Sequence, residues 1–188
     1  YSGTAAGENG HLFGGYTLAF ALEAASATVN PQMWPQSIHA NFIDAGKSGQ
    51  ELRMHVEVLR DTRAFAMRQV TVKMGDLNPL LMQASFHAGE EGPDWAPDIA
   101  FDYPDPETLV TDETYLPFMN PIDVRPIHGP SLRGPGHRVP QVHPFWVRPY
   151  VDLPDNHMLH AAVVAFISDY MVVGAAQAPG RDIPDGSL

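Results

Sequence analysis

No cysteine occurs among the 188 residues, which excludes disulfides, thiolate nucleophiles and cysteine-held metal sites together. A cysteine-free chain suits the reducing cytoplasm, which is the expected location. Long hydrophobic runs are also missing. No apolar stretch reaches the roughly 18 residues that a membrane-crossing helix needs, and residues 1–10 carry neither a basic nor an apolar region of the kind a secretion signal has. No membrane partner is therefore expected. Basic residues are scarce: 11 Lys and Arg against 22 Asp and Glu leave a formal charge of −11. Neutralising a phosphate backbone takes a clustered excess of positive charge, so a nucleic-acid partner is not expected either. An anionic ligand would need a local basic patch. Arg60, Arg63 and Arg68 are the candidates, with solvated strand and turn positions as the alternative reading.

What is present is 44% hydrophobic residues, enough for a packed core. The segment from Gly14 to about Asn30 is rich in Ala and Leu, holds one charge at Glu23 and stops before Pro31, as a mostly buried helix would. Four strand-like runs follow, Gln36 to Asp44, Glu51 to Asp61, Ala64 to Gly75 and Pro79 to Ala88, joined by turns short enough to make neighbours antiparallel. In the second run Leu52, Met54, Val56 and Val58 alternate with Arg53, His55, Glu57 and Leu59, the period of a half-buried strand. One face of the sheet is thus apolar, and the helix is its natural cover. This α+β pattern fits a sheet wrapped around a central helix, among other layouts. Residues 1–88 are expected to complete one such unit.

Between Glu90 and Glu113 stand nine acidic residues and no basic ones, and Pro recurs up to Pro154. This reads as a linker over residues 89–120 with a solvated acidic surface. Short strands are expected around Ile122 to Ile127 and Phe145 to Val151, then a buried helix from about Asn156. That helix needs a sheet of its own, and 15 residues follow Val173. The unit over residues 121–188 is therefore expected to be incomplete in this chain.

Asp169 is the only charge between His160 and Arg181. A carboxylate in such a run must be hydrogen-bonded, protonated or working as a base, unless it lies at a helix end facing solvent. Gly14 and Gly15 open the first helix, where free N–H groups and the positive dipole end can polarise a carbonyl oxygen. They serve equally for a tight turn or close packing. His157 and His160 could share a helix face, but no nearby carboxylate completes a metal site, and no metal or other cofactor is expected. Ser187 has no G-x-S-x-G setting and does not read as a hydrolase nucleophile.

Three stretches carry a resemblance: HLFGGYTLAFALEAA at His11 to Ala25, SIHANFIDAG through VEVLRDTRAFAMRQV at Ser37 to Val70, and MQASFH at Met82 to His87. VRPI at Val124, FWVR at Phe145 and LPDNHMLHAAVVAFISDYMVVGAA at Leu153 to Ala176 extend it. Together they resemble the type II acyl-CoA thioesterases, TesB-like enzymes with a double hotdog fold, over nearly the whole chain. The resemblance implies hydrolysis of a fatty acyl-CoA by water that an aspartate, a Ser or Thr and a Gln activate, with no covalent acyl-enzyme. Asp169 takes the aspartate's place and Ser187, in the terminal Gly-Ser-Leu, that of the Ser or Thr; no residue matches the Gln. Gly14, Gly15, Tyr16, Arg60 and Arg63 become candidates for binding the acyl-CoA, and Phe20, Leu22 and Phe166 for an acyl tunnel. Tyr16 stands where the family often has Gln, and Ile43-Asp44-Ala45-Gly46 where Leu-Arg-Pro-Gly is common. A hotdog enoyl-CoA hydratase would need a His about five residues after the aspartate, and Tyr170 to Gly174 hold none. The remaining alternative is a degenerate hotdog that binds acyl-CoA or serves as an assembly subunit. Hotdog units associate through sheet edges and helices, so a homo-oligomer is expected.

Overall fold

The structure is a computed structural model that describes residues 2–4, 10–93, 95–97, 102–112, 122–127 and 144–170. By mutual contact the chain divides into two units, residues 1–92 with 153–170, and 93–152 with 171–188.

The first unit holds strand β1 (Ser2–Thr4), helix α1 (Gly14–Ser26), strands β2 (Trp34–Phe42), β3 (Glu51–Asp61), β4 (Phe65–Met74) and β5 (Leu77–His87), and helix α2 (His157–Ser168). The five strands form one antiparallel sheet in the order β1-β3-β4-β5-β2. Tight turns set this order. Thr62 closes the β3–β4 hairpin by accepting the Phe65 N–H on its hydroxyl at 2.9 Å, and Gly75, at φ +58°, supplies the left-handed residue of the β4–β5 turn. One face carries Leu52 and Met54 from β3, Val70 and Val72 from β4, and Leu80, Met82 and Phe86 from β5, all buried. Against it lies α1, whose Leu18, Ala21, Leu22, Ala24 and Ala25 are buried in the same cluster. Small alanines let the helix approach the sheet closely, which is why this segment is Ala-rich. The outer face is polar: the Gln83 amide donates to Gln69 and the Gln69 amide to Glu57, each at 3.3 Å across neighbouring strands.

Several boundaries move from those the sequence predicts. Helix α1 stops at Ser26, short of Asn30, because the chain turns there: the Thr28 and Val29 N–H groups reach back three residues to Ala25 and Ser26. Val58, predicted to face inward, is 55% exposed and Leu59 is 42% exposed. The register of β3 against β4 slips between Val58 and Arg60, and the bulge breaks the alternation that placed Val58 inside.

Arg68 departs further from expectation. It is neither a ligand patch nor a solvated strand position, being 1% exposed on the inward face of β4. Its guanidinium donates to the Thr28 hydroxyl at 2.8 Å, the Thr28 carbonyl at 2.9 Å and Asp61 at 2.7 Å. It also donates to the carbonyls of Met67 and Arg60. A buried cation thereby ties the segment just after α1 to the β3 bulge, where the helix dipole also favours positive charge.

In the second unit, strands β6 (Ile122–Pro126) and β7 (Phe145–Pro149) pair antiparallel. Asp123, 3% exposed, accepts from Thr111 at 2.9 Å, Arg125 at 2.9 Å and Arg148 at 3.3 Å. Arg125 also donates to the Pro106 carbonyl, and the Trp146 indole to that of Pro104. Part of the acidic, Pro-rich segment is therefore fastened to this hairpin rather than wholly solvated.

Candidate active site

Helix α1 begins without the usual local help. Its N-cap residue is Phe13, which offers no side-chain hydrogen bond, and its first turn holds no acidic residue. The free N–H groups and positive dipole end of such a terminus favour an anion from elsewhere. Asp169 supplies it. Asp169 is the C-cap of α2, which packs against α1, and its carboxylate accepts the Gly15 N–H. Asn156 starts α2 by accepting the N–H groups of Met158 and Leu159, so the helix that delivers Asp169 is capped at its other end.

Both glycines are required by this meeting. A Cβ on Gly14 would stand 2.6 Å from the Asp169 Oδ2 and 2.6 Å from Cε1 of Phe42. On Gly15 it would collide with the Phe166 carbonyl and the Phe13 ring. Glycine serves here through the absent side chain rather than through a left-handed backbone. Aromatic rings close the surroundings: Tyr16 meets Phe166 edge-on at 4.8 Å, Phe13 meets Phe166 at 5.3 Å, and Phe20 lies 6.1 Å from Tyr16. Burial pushes the Asp169 carboxyl above its ordinary 3.8, opposed only in part by the Gly15 N–H. The Tyr16 phenol is likewise raised by burial and stays neutral. A desolvated, aimed carboxylate of raised basicity is suited to accept a proton from water near neutral pH.

Gly14, Gly15, Tyr16 and Asp169 thus come together. Arg60 and Arg63 do not join them. Both are exposed, Arg60 in β3 and Arg63 in the turn to β4, and the Arg68 cluster places that turn at the C-terminal end of α1. At 1.5 Å per residue, roughly 20 Å of helix separates that end from Gly14. Ser187 lies outside the described residues. Phe13 and Phe42 adjoin the site without having been singled out in the sequence. Phe42 ends the Ser37-Ile38-His39-Ala40-Asn41-Phe42 run that carries part of the resemblance, the one signal that could have marked it. Asp44, which stands where the resemblance leads one to expect Arg, accepts the Asn78 N–H at 2.7 Å and so fastens the end of β2 to β5.

Gly14→Ala provides a direct check on this packing. Alanine gains helix propensity while its methyl displaces Asp169 and Phe42, so the net stability change should stay within about 1–2 kcal/mol. Turnover should fall at least about tenfold, since misplacing a catalytic group by an ångström can cost a hundredfold. Paired denaturation and rate measurements test this, and unchanged turnover would contradict the arrangement.

An antiparallel sheet wrapped on a buried helix defines a hotdog-fold protein, and a solved protein from Alicyclobacillus acidocaldarius described as having that fold matches 82% of this chain and 58% of its own at a TM-score of 0.67 and 21% identity. Residues 4–87 match the family described as the acyl-CoA thioesterase N-terminal domain. Human acyl-coenzyme A thioesterase 8 is 29% identical over 190 residues, spanning 89% of this chain and 59% of the human protein. The acyl-CoA thioesterase II TesB2 of Mycobacterium marinum superimposes with a TM-score of 0.74 at 27% identity, over 95% of this chain and 64% of that one. The chain is thus similar to the TesB-like type II acyl-CoA thioesterases, and its first unit has an α+β hotdog fold. It spans less than two thirds of the length of these relatives.

Proposed function

We propose that the protein carrying this chain hydrolyses acyl-CoA to a free fatty acid and CoA, with Asp169 as general base. The observation that carries the reading is the Asp169 carboxylate, seated on the Gly15 N–H at the uncapped start of α1 and raised in basicity by burial. Asp169 takes a proton from water as the water oxygen attacks the thioester carbonyl. The tetrahedral intermediate collapses, the C–S bond breaks, and the proton on Asp169 passes to the departing thiolate. The hydrogen bond from Gly15 keeps the carboxylate aimed through both transfers. By family resemblance Ser187 would hold the water beside Asp169, Arg60 and Arg63 would meet the CoA phosphates, and Tyr16 with Phe20 and Phe166 would line the acyl chain. By this resemblance we divide the chain into a first hotdog unit at 1–88, a linker at 89–120 and residues of a second unit at 121–188, whose helix α2 nevertheless packs on α1, in a cytoplasmic protein.

Thiol release from a panel of acyl-CoAs of graded length tests the reading. Because this chain has no cysteine, its own residues add no thiol to the signal. Release that rises with protein concentration supports hydrolysis; saturable acyl-CoA binding without release would instead establish the degenerate, binding-only alternative. A homo-oligomer is part of the same reading, supported by edge strand β2 with Trp34 56% exposed and the adjoining Ile43 57% exposed. Light scattering should give a mass of at least two chains at micromolar concentration, and a clean monomer would contradict it.

A further inference from the structure

Phe42 combines two properties that rarely coincide. It ends edge strand β2 with 53% of its surface exposed, yet its Cε1 and Cζ lie 2.6 and 2.9 Å from the point beside Gly14 that a Cβ would occupy. The Asp169 Oδ2 lies 2.6 Å from that same point. The sum of two such short distances is the most that can separate ring edge from carboxylate oxygen. The ring thus faces water while its edge lies close to a half-buried carboxylate.

We propose that Phe42 shields Asp169: its ring covers the carboxylate's solvent side at Gly14, making it a positioning residue for the base rather than only a sheet-edge side chain. The proposal rests on the reading of Asp169 as general base for its catalytic consequence, but the shielding itself stands on geometry. The glycine completes the device. With no methyl at residue 14, ring and carboxylate share the space over the helix start, and water has little room to solvate the charge. Among the described residues, the causes of the raised Asp169 titration are burial and, opposing it, the Gly15 N–H. Among the described residues, the ionisable groups on the elements around it are Tyr16 and Glu23 of α1, His157 and His160 of α2, Tyr170 next to Asp169, His39 of β2, and Asp44 and Lys47 beyond the end of β2. None is among those causes. Removing the ring should therefore change the desolvation that dominates.

The test is the ¹³C carboxyl titration of Asp169 in the full protein, alongside the pH profile of thiol release, for wild type, Phe42→Ala and Phe42→Leu. Phe42→Ala should move the Asp169 midpoint down toward the ordinary carboxylate range by roughly half a pH unit or more. The acid limb of kcat/KM should move with it, and Phe42→Leu should restore most of both. A Phe42→Ala midpoint that stays at the wild-type value overturns the proposal. Should Phe42→Ala not fold, Phe42→Gln, of similar length but able to recruit water, must lower the midpoint where Phe42→Leu does not, or the shield is wrong. If wild type releases no thiol, the thioesterase reading fails while the carboxyl titration still decides the shield.

Discussion

Asp169→Asn is expected to lower thiol release by roughly a thousandfold, inside the range that a positioned general base contributes, while leaving a folded protein of at least wild-type stability at neutral pH. Asparagine keeps the size of the side chain and an oxygen for the Gly15 N–H but cannot accept the proton of the attacking water. The stability half follows from the direction of the carboxyl's shift. Burial raises Asp169 above its ordinary 3.8, so between that value and the raised one the native protein holds a proton that the unfolded chain has released. Stability contributed by this group therefore falls as pH rises through that window and stays lower above it. The amide variant has no proton to lose and escapes the penalty. Its stability should gain on wild type with rising pH, and wild-type activity should fall as pH is lowered through the same window. Activity and chemical denaturation measured on both proteins across pH check the pair. Undiminished hydrolysis by the variant would remove Asp169 from the mechanism.

Arg68→Ala carries the largest expected loss of stability, about 3 kcal/mol. The guanidinium makes five hydrogen bonds, to the Thr28 hydroxyl and carbonyl, Asp61, and the carbonyls of Met67 and Arg60. Charge-assisted bonds are worth more than neutral ones, and a truncated buried partner leaves acceptors unpaired. Asp61 is 56% exposed at its side chain and can turn to water, which keeps the loss at the lower end of what breaking a buried pair costs. Arg68→Met retains the packing of the stem and should lose less, about 1–2 kcal/mol. Arg68→Lys should not rescue fully, because an ammonium lacks the planar fork that meets several acceptors at once. Urea unfolding of the three variants orders them. A change below about 0.5 kcal/mol for alanine would show that the cluster contributes nothing measurable.

The sheet was legible because β3 declares its inward face through Leu52, Met54 and Val56 against Arg53, His55 and Glu57. The same period stated too much at Val58, where the bulge, a feature of pairing rather than of local sequence, resets the alternation. In β4 both phases are apolar at the start, Phe65 and Met67 in one, Ala66 in the other, so the direction of Arg68 was hidden locally. It becomes readable from further along, since Val70, Val72 and Met74 are buried in its phase. Asp169 was legible as a lone charge in an apolar helix, and Gly14-Gly15 as a helix start open to close approach. That these meet was not. Some 150 residues separate them, and no periodicity encodes which helix terminus a distant carboxylate will reach. Phe42 was hidden for a related reason, since its exposure marks it as an ordinary edge residue until Gly14 and Asp169 are placed beside it.

The most direct measurement is turnover of an acyl-CoA in ¹⁸O-labelled water, with mass spectrometry of the fatty acid and of the intact protein during the reaction. Hydrolysis by Asp169-activated water should place one ¹⁸O in each fatty acid released after a single turnover, with free CoA in equal amount and no acylated protein at any time. An acyl adduct on the chain, or acyl-CoA left intact, would contradict it.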